Sequence, residues 1–141
     1  SIKPVFKTND FALYNDDSLE VMSRFPDNYV DMIFADPPYM LSNDGFTCHA
    51  GRMVKVNKGK WDKSKGFETD LAFHELWISE CKRILKPTGT IWISGTQHSI
   101  YQCGFLLQKL NFHILINYYF LLNKMLGNHF AHYIYILTSF L

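Results

Sequence analysis

A short apolar segment closed by two prolines restricts the fold of this chain more than any other feature. The segment runs from Val30 to Ala35, and Asp36-Pro37-Pro38 follows it directly. Proline has a fixed φ and no backbone N–H, so a strand cannot continue through these positions. An apolar run of this length, bounded in this way, is typical of a buried strand. The sequence therefore predicts a buried strand over Val30–Ala35 that ends at Asp36.

Segments typical of strands and of helices alternate along most of the chain. Ser18 is a natural N-cap for one helix, and Thr69 or Asp70 can begin another, which Pro87 helps to end. The alternation indicates parallel strands joined by crossover helices, and therefore an α/β fold with a doubly wound sheet. The predicted elements are a strand at Phe11–Tyr14, a helix from Ser18 to near Pro26, the strand at Val30–Ala35, a helix ending at Leu85, a strand at Thr90–Ser94, a helix at Ser99–Leu110 and a strand beginning at Phe112.

Polar residues follow three of the predicted strands. Asp17 comes after the first strand, Asp36 after the second, and Ser94-Gly95 closes the third. In open α/β sheets, ligands bind at the carboxyl ends of the strands. The sequence therefore places a candidate binding site around these residues.

The tetrapeptide Asp36-Pro37-Pro38-Tyr39 (the DPPY motif) suits chemistry on the amino group of a nucleobase. Such an amine is a poor nucleophile because its lone pair is delocalised into the ring. Two acceptors aimed at its N–H bonds favour a reactive geometry, and the Asp36 carboxylate and the Pro37 carbonyl can supply them. Tyr39 offers a ring on which a base extruded from the duplex can stack. The same residues also suit a simple turn that ends a strand.

A basic segment follows the motif. Between Arg52 and Lys65 lie six basic residues and one acid, which gives this stretch a charge of +5 in a chain of net charge +1. A local positive charge suits contact with a polyanion on one face. A solvated surface loop without a partner is the alternative. The candidate phosphate contacts are Lys55, Lys58, Lys60 and Lys63.

Three segments together resemble a known family: Ile33–Tyr39, Lys60–Lys63 and Trp77–Gly95. They are similar, in order and in element type, to the beta-group DNA adenine methyltransferases of restriction–modification systems. The likeness extends from about Leu13 to about Leu115. It implies adenine N6 as the methyl acceptor, S-adenosylmethionine as the methyl donor and double-stranded DNA as the partner. Aspartate at the first motif position resembles the adenine-N6 enzymes more than the cytosine-N4 enzymes.

The resemblance also implies roles for individual residues. The residues implied to contact the target amine are Asp36, Pro37, Pro38 and Tyr39. Those implied to lie near the cofactor are Asp17 and Asp36. Trp61 and Asp62 are implied to border the target base and the DNA, beside the lysines of the basic segment.

Two features depart from the family pattern. None of the eight glycines has the spacing of a loop that could cradle S-adenosylmethionine. The composition also changes abruptly near Ile116, after which Lys124 is the one formally charged residue. We therefore expect residues 1–115 to form the N-terminal catalytic half of a methyltransferase domain. Residues 116–141 are expected to be an aberrant apolar tail that arises from truncation or a change of reading frame, and the chain alone is expected to methylate little or nothing.

Two other functions are compatible with the sequence. The chain could transfer a methyl group to another planar nitrogen, such as cytosine N4. It could also be a non-catalytic remnant that binds nucleic acid. A second copy of the chain or a complementing chain is a compatible protein partner in either case.

The remaining composition does not favour a metal site, disulfides or a membrane span. Cys48, Cys81 and Cys103 are scattered, which indicates core or loop thiols in a reducing compartment. The uncharged run Met125–Leu141 is too short and too polar to cross a bilayer. The first ten residues lack the apolar run of a signal peptide. We therefore expect a cytoplasmic protein without a metal.

Overall fold

Helices and strands alternate through most of the protein, as the sequence predicts. The computed structural model describes residues 2–40, 46–49, 52–55, 59–124 and 128–138. Its elements are β1 (Phe6–Lys7), β2 (Ala12–Leu13), α1 (Ser18–Met22), β3 (Val30–Ala35), β4 (Phe46–His49), β5 (Arg52–Lys55), a 3-10 helix (Lys60–Asp62), α2 (Phe67–Ile84), β6 (Leu85–Gly95), α3 (Gln97–Lys109), β7 (His113–Lys124) and β8 (Asn128–Thr138).

Four strands form the main sheet, in the order β3-β6-β8-β7. β3 and β6 are parallel, whereas β8 is antiparallel to both of its neighbours. The connection from β3 to β6 runs through α2, as parallel neighbours require. The predicted α/β class and the parallel pairing of the two central predicted strands are confirmed.

Helices α2 and α3 contribute to one apolar core on a single face of the sheet. On β6, Ile91 and Ile93 are fully buried, because alternate residues of a strand point to the same face. On β3, Ile33 and Ala35 pack against the same cluster. Met32 and Phe34 on the other face of β3 are each 62% exposed, so the prediction that this strand is buried is wrong. Each fully buried isoleucine stabilises the fold by about 1.5–3 kcal/mol. The buried core residues are Trp77, Ile78, Cys81, Leu85, Ile91, Ile93, Ile100, Cys103, Leu106, Leu107 and Phe112.

Arg83, near the end of α2, holds the connection between α1 and β3. Its guanidinium donates to the carbonyl oxygens of Met22 at 3.0 Å and Phe25 at 2.9 Å. It also pairs with the carboxylates of Asp27 at 2.7 Å and Glu80 at 2.9 Å. These contacts fix the segment that leads into β3.

The first predicted strand does not join the main sheet. Its residues form β2, which pairs with β1 in a separate antiparallel hairpin. The Thr8 hydroxyl accepts from the backbone N–H groups of Asp10 and Phe11, each at 3.2 Å. These hydrogen bonds stabilise the turn between β1 and β2. Both strands are two residues long and exposed. A local turn, rather than burial, therefore decides this pairing.

Two helix starts also differ from those predicted. Asp17, not Ser18, is the N-cap of α1, because its carboxylate accepts from the N–H groups of Leu19 at 2.8 Å and Glu20 at 3.3 Å. The longer helix α2 begins at Phe67, ahead of both predicted caps. At α1, the carboxylate one position before the predicted cap satisfies the same N–H groups, whereas the N-cap of α2 is Gly66, which makes no side-chain hydrogen bond.

The described residues beyond position 115 pair with the main sheet. β7 extends to Lys124, and β8 places Tyr135 opposite Ile93 of β6. Aromatic and β-branched residues are frequent in this segment and favour strands. The predicted division at residue 115 therefore falls inside β7. The origin of the tail in a truncation or a change of reading frame stays a prediction.

Within the part of the chain that the structure describes, no helix is long and apolar enough to cross a membrane. The same residues contain no group of three or more His, Cys, Asp or Glu side chains that could hold a metal ion. Cys81 and Cys103 are free thiols in the core, where burial raises the pKa of each to about 12.

Candidate active site

The carboxylate of Asp36 is held at the carboxyl end of β3 by two hydroxyl groups. Its Oδ1 accepts from the Tyr39 hydroxyl at 2.5 Å and from the Ser94 hydroxyl at 2.5 Å. Ser94 lies at the end of β6, which is the parallel neighbour of β3. Asp36 itself is exposed. The motif therefore forms an anchored carboxylate at the surface, at the sheet edge that the sequence predicts.

Tyr39 acts as a hydrogen-bond donor in this arrangement. Burial raises its pKa above the usual value, and the hydrogen bond to Asp36 raises it further, while the contact with Ser94 has the opposite effect. The phenol therefore stays neutral and donates its hydrogen bond to Asp36. Its ring is half-buried, and the role predicted for it in base stacking stays a prediction.

Asp62 points into the protein and contacts the end of the DPPY motif. The residue is 0% exposed, and its Oδ1 accepts from the backbone N–H groups of Tyr39 at 2.9 Å and Met40 at 3.0 Å. The interior thus supplies the carboxylate with two backbone donors at the end of the DPPY motif. The predicted place of Asp62 on the DNA side stays a prediction.

A second buried carboxylate anchors the end of the same loop. Asp70, on α2, is 6% exposed and accepts from the Lys65 N–H at 2.9 Å and the Ser64 hydroxyl at 2.5 Å. The loop that ends the basic segment is therefore tied both to the DPPY motif and to α2. Sequence reasoning assigned Asp70 only as a possible helix cap.

The other residues of the 3-10 helix face outwards. Trp61 is 61% exposed, and Lys60 and Lys63 are exposed beside it. Lys55 lies in β5, which pairs with β4 in a hairpin separate from the main sheet. Lys58 lies outside the described residues. The structure thus leaves three of the predicted DNA-binding side chains accessible, and their role stays a prediction.

The structure gives Asp17 a local role and Ser94 a larger role than the sequence suggested. Asp17 follows the separate hairpin and caps α1, so its predicted place near the cofactor stays a prediction. Ser94 was placed at the correct edge without a function, although it supplies one of the donors to Asp36. Its position at the end of the neighbouring strand is the signal that could have indicated this contact.

Comparison with known proteins assigns the family. The N6/N4 methyltransferase family model, described as DNA methylase, matches residues 30–136. The match covers more than half of the chain, including the DPPY motif, Asp62, Ser94 and most of β8. The chain belongs to the DNA methylase family. The resemblance found in the sequence is thereby confirmed at the level of the family.

Curated relatives of this chain are type II methyltransferases. M2.MboI of Moraxella bovis is 47% identical over 116 residues, which are 81% of this chain and 42% of the relative. M2.DpnII of Streptococcus pneumoniae is 44% identical over 115 residues, which are 82% of this chain and 43% of the relative. The chain therefore spans less than half the length of these curated relatives.

Solved structures of methyltransferases have the same fold. The PvuII DNA methyltransferase (cytosine-N4-specific) aligns with a TM-score of 0.68 and 14% identity, over 98% of this chain and 52% of that one. An S-adenosylmethionine-dependent methyltransferase of Methanosarcina mazei aligns with a TM-score of 0.57 and 15% identity, over 96% of this chain and 70% of that one. At such identities the likeness is one of fold alone.

Proposed function

We propose that this chain carries the base-binding side of a site-specific DNA methyltransferase that acts on adenine N6 in duplex DNA. S-adenosylmethionine is the proposed methyl donor. The observation that carries the proposal is the Asp36 carboxylate, held by Tyr39 and Ser94 at the carboxyl end of β3 while the residue stays exposed. Membership of the DNA methylase family and the names of the type II relatives support it.

The proposed work of the motif is to hold the adenine amine in a reactive geometry. The Asp36 carboxylate accepts one N–H of the amine, and the carbonyl of Pro37 accepts the other. Both acceptors draw the nitrogen away from planarity, which frees its lone pair for attack. Because the hydroxyls of Tyr39 and Ser94 already fix the carboxylate, little reorganisation is needed when the base arrives.

The described residues fit the part of a methyltransferase site that binds the target base better than the part that binds the methyl donor. S-adenosylmethionine, when bound, supplies a methyl group on a positively charged sulfur; TTHA0409 of Thermus thermophilus, solved with this molecule, shares the fold with a TM-score of 0.59 and 17% identity. Gly95 does not leave open space for a cofactor where its side chain would be, since a Cβ there would lie 3.0 Å from Cδ1 of Ile100. We propose that the portion of the relatives outside the match completes the donor pocket, with Asp17 and Asp36 at its border.

The exposed part of the basic loop is the proposed DNA contact. Lys60 and Lys63 flank the exposed ring of Trp61, so cations and an aromatic face lie together within one turn of the chain. This combination suits phosphates and an unstacked base. Lys55 and Lys58 are proposed as further phosphate contacts.

Transfer of a radiolabelled methyl group to duplex DNA tests the proposal. The chain is assayed alone and together with a fragment that spans the unmatched portion of a type II relative. We expect methyl transfer in the mixture and, because the acceptor charge is lost, a decrease of about 100-fold or more for Asp36→Asn. Asp31→Asn is the matched control: it removes a carboxylate from the same strand, where the side chain is 82% exposed and pairs with Lys86.

The product decides between the alternatives. N6-methyladenine in the digested DNA supports the proposal. N4-methylcytosine would replace it with the cytosine activity that the sequence leaves open. DNA binding without any methyl transfer, from a folded chain mixed with its complement, would favour the non-catalytic remnant.

A further inference from the structure

A buried carboxylate must be hydrogen-bonded to offset its loss of water. Asp62 is 0% exposed, and a single oxygen accepts the N–H groups of Tyr39 and Met40. Two successive backbone N–H groups directed at one anion form a concave anion site, or nest. The residue that closes the DPPY motif and its successor therefore form a nest that this chain fills with its own carboxylate.

The backbone conformation of Met40 in this nest is unfavourable unless other contacts stabilise it. Its φ is +56°, in the left-handed region that a residue with a side chain rarely adopts. Such a conformation persists where the surrounding structure holds it. Because the Met40 N–H is bound to Asp62, the carboxylate stabilises the direction in which the backbone leaves Tyr39. The backbone conformation of Met40, directly after the motif, is thus held by a residue 22 positions later in the chain.

The 3-10 helix that contains Asp62 has one buried side chain and two exposed ones. Asp62 points inwards, whereas Trp61 and Lys60 are exposed on the proposed DNA side. The loop beyond this turn cannot move independently, since Asp70 binds Ser64 and the Lys65 N–H. Asp62 therefore connects the turn that carries Trp61 to the backbone of Tyr39.

We propose that Asp62 is a positioning residue that couples the DNA-facing turn to the groups that hold the target base. It sets the Tyr39–Met40 backbone, and through Tyr39 it sets the donor that anchors Asp36. The catalytic consequence rests on the proposed function. The conformational part stands on the geometry of this chain alone.

Amide hydrogen exchange of Tyr39 and Met40, followed by NMR, tests the conformational part. In Asp62→Ala we expect both amides to exchange about 10- to 150-fold faster, as when a hydrogen bond to a charged acceptor is lost. Asp62→Asn should keep most of the protection, because the amide oxygen can accept the same two N–H groups. The matched control Asp31→Ala removes an exposed carboxylate and should change neither amide.

Unchanged exchange in a folded Asp62→Ala chain would overturn the proposal. If that variant does not fold, Asp62→Asn carries the test. The amide proton shifts of Tyr39 and Met40 should then move upfield as the acceptor loses its charge, and unchanged shifts would overturn the inference.

A titration separates positioning from general support of the fold. With ring-labelled tyrosine, the Tyr39 phenol should titrate above its usual pKa in the parent and closer to that value in Asp62→Ala, since it withdraws from its buried place beside Asp36. A Tyr39 pKa that is the same in both chains would contradict the coupling. The Tyr39 signal is identified by its loss in Tyr39→Phe.

Methyl transfer with the complementing fragment then tests the catalytic consequence. We expect Asp62→Ala to lower kcat while leaving KM for DNA nearly unchanged, and Asp62→Asn to restore most of kcat. If the NMR changes occur but no form methylates DNA, the proposed function fails and the conformational role stands. If the parent methylates DNA and Asp62→Ala matches its kcat, the positioning role fails and the function stands.

Discussion

The stability of the protein should depend on pH through His74, a buried residue at the centre of α2. The side chain is 0% exposed, and its Nδ1 accepts from the Trp77 Nε1–H at 3.0 Å. The ring proton therefore sits on Nε2, which has no hydrogen-bond partner within the described part of the chain. Burial lowers the pKa of His74 from 6.5 to about 4, although the charge of Asp70 acts in the opposite direction. Protonation would also place a proton on Nδ1, against the Trp77 donor.

The sign of the effect follows from this shift. The pKa of His74 is lower in the folded chain, so between pH 6.5 and about 4 the unfolded chain binds a proton at His74 that the folded chain does not bind. The contribution of neutral His74 to the free energy of unfolding is complete above pH 6.5 and is lost as the pH falls towards 4. With one pKa unit equal to about 1.4 kcal/mol, acidification from pH 7 to about 4.5 should cost about 2 kcal/mol of unfolding free energy.

Urea unfolding across this pH range measures the effect, with His74→Asn as the matched variant. The asparagine oxygen occupies the place of Nδ1 and can accept from Trp77, but it does not titrate. Other ionisable groups affect both chains equally and cancel in the difference. The parent should lose about 2 kcal/mol more than the variant on acidification. Parallel curves, within about 0.5 kcal/mol at every pH, would refute the reasoning.

Two further outcomes are expected. Ser94→Ala removes one of the hydroxyl donors to Asp36 and should lower the unfolding free energy by about 1 kcal/mol in urea titrations, whereas an unchanged value would show that the contact is not formed. In a Cys48→Ser background, the buried thiols of Cys81 and Cys103 should react with a disulfide reagent at pH 8 only as fast as the chain unfolds; rapid labelling of the folded chain would contradict their burial.

The elements that were predicted best are those with local signals. The strand Val30–Ala35 has the predicted bounds, because its apolar run and the prolines after it lie within a few residues. The helix α3 was predicted at Ser99–Leu110 and covers Gln97–Lys109. The DPPY motif lies at a strand's carboxyl end, as predicted, since the rule for parallel sheets needs only the order of the elements. For the same reason Ser94 was placed at the correct edge.

By itself, then, the sequence determined the strand Val30–Ala35, part of β6 and the helices α2 and α3, and it brought Asp36 and Ser94 to one edge of the sheet. Only the tertiary structure decided that β8 enters the main sheet antiparallel and that Asp62 points inwards. These outcomes depend on partners far away along the chain. A carboxylate in a basic loop has the same local signals whether it meets water or two backbone N–H groups, and only the packed interior distinguishes the two.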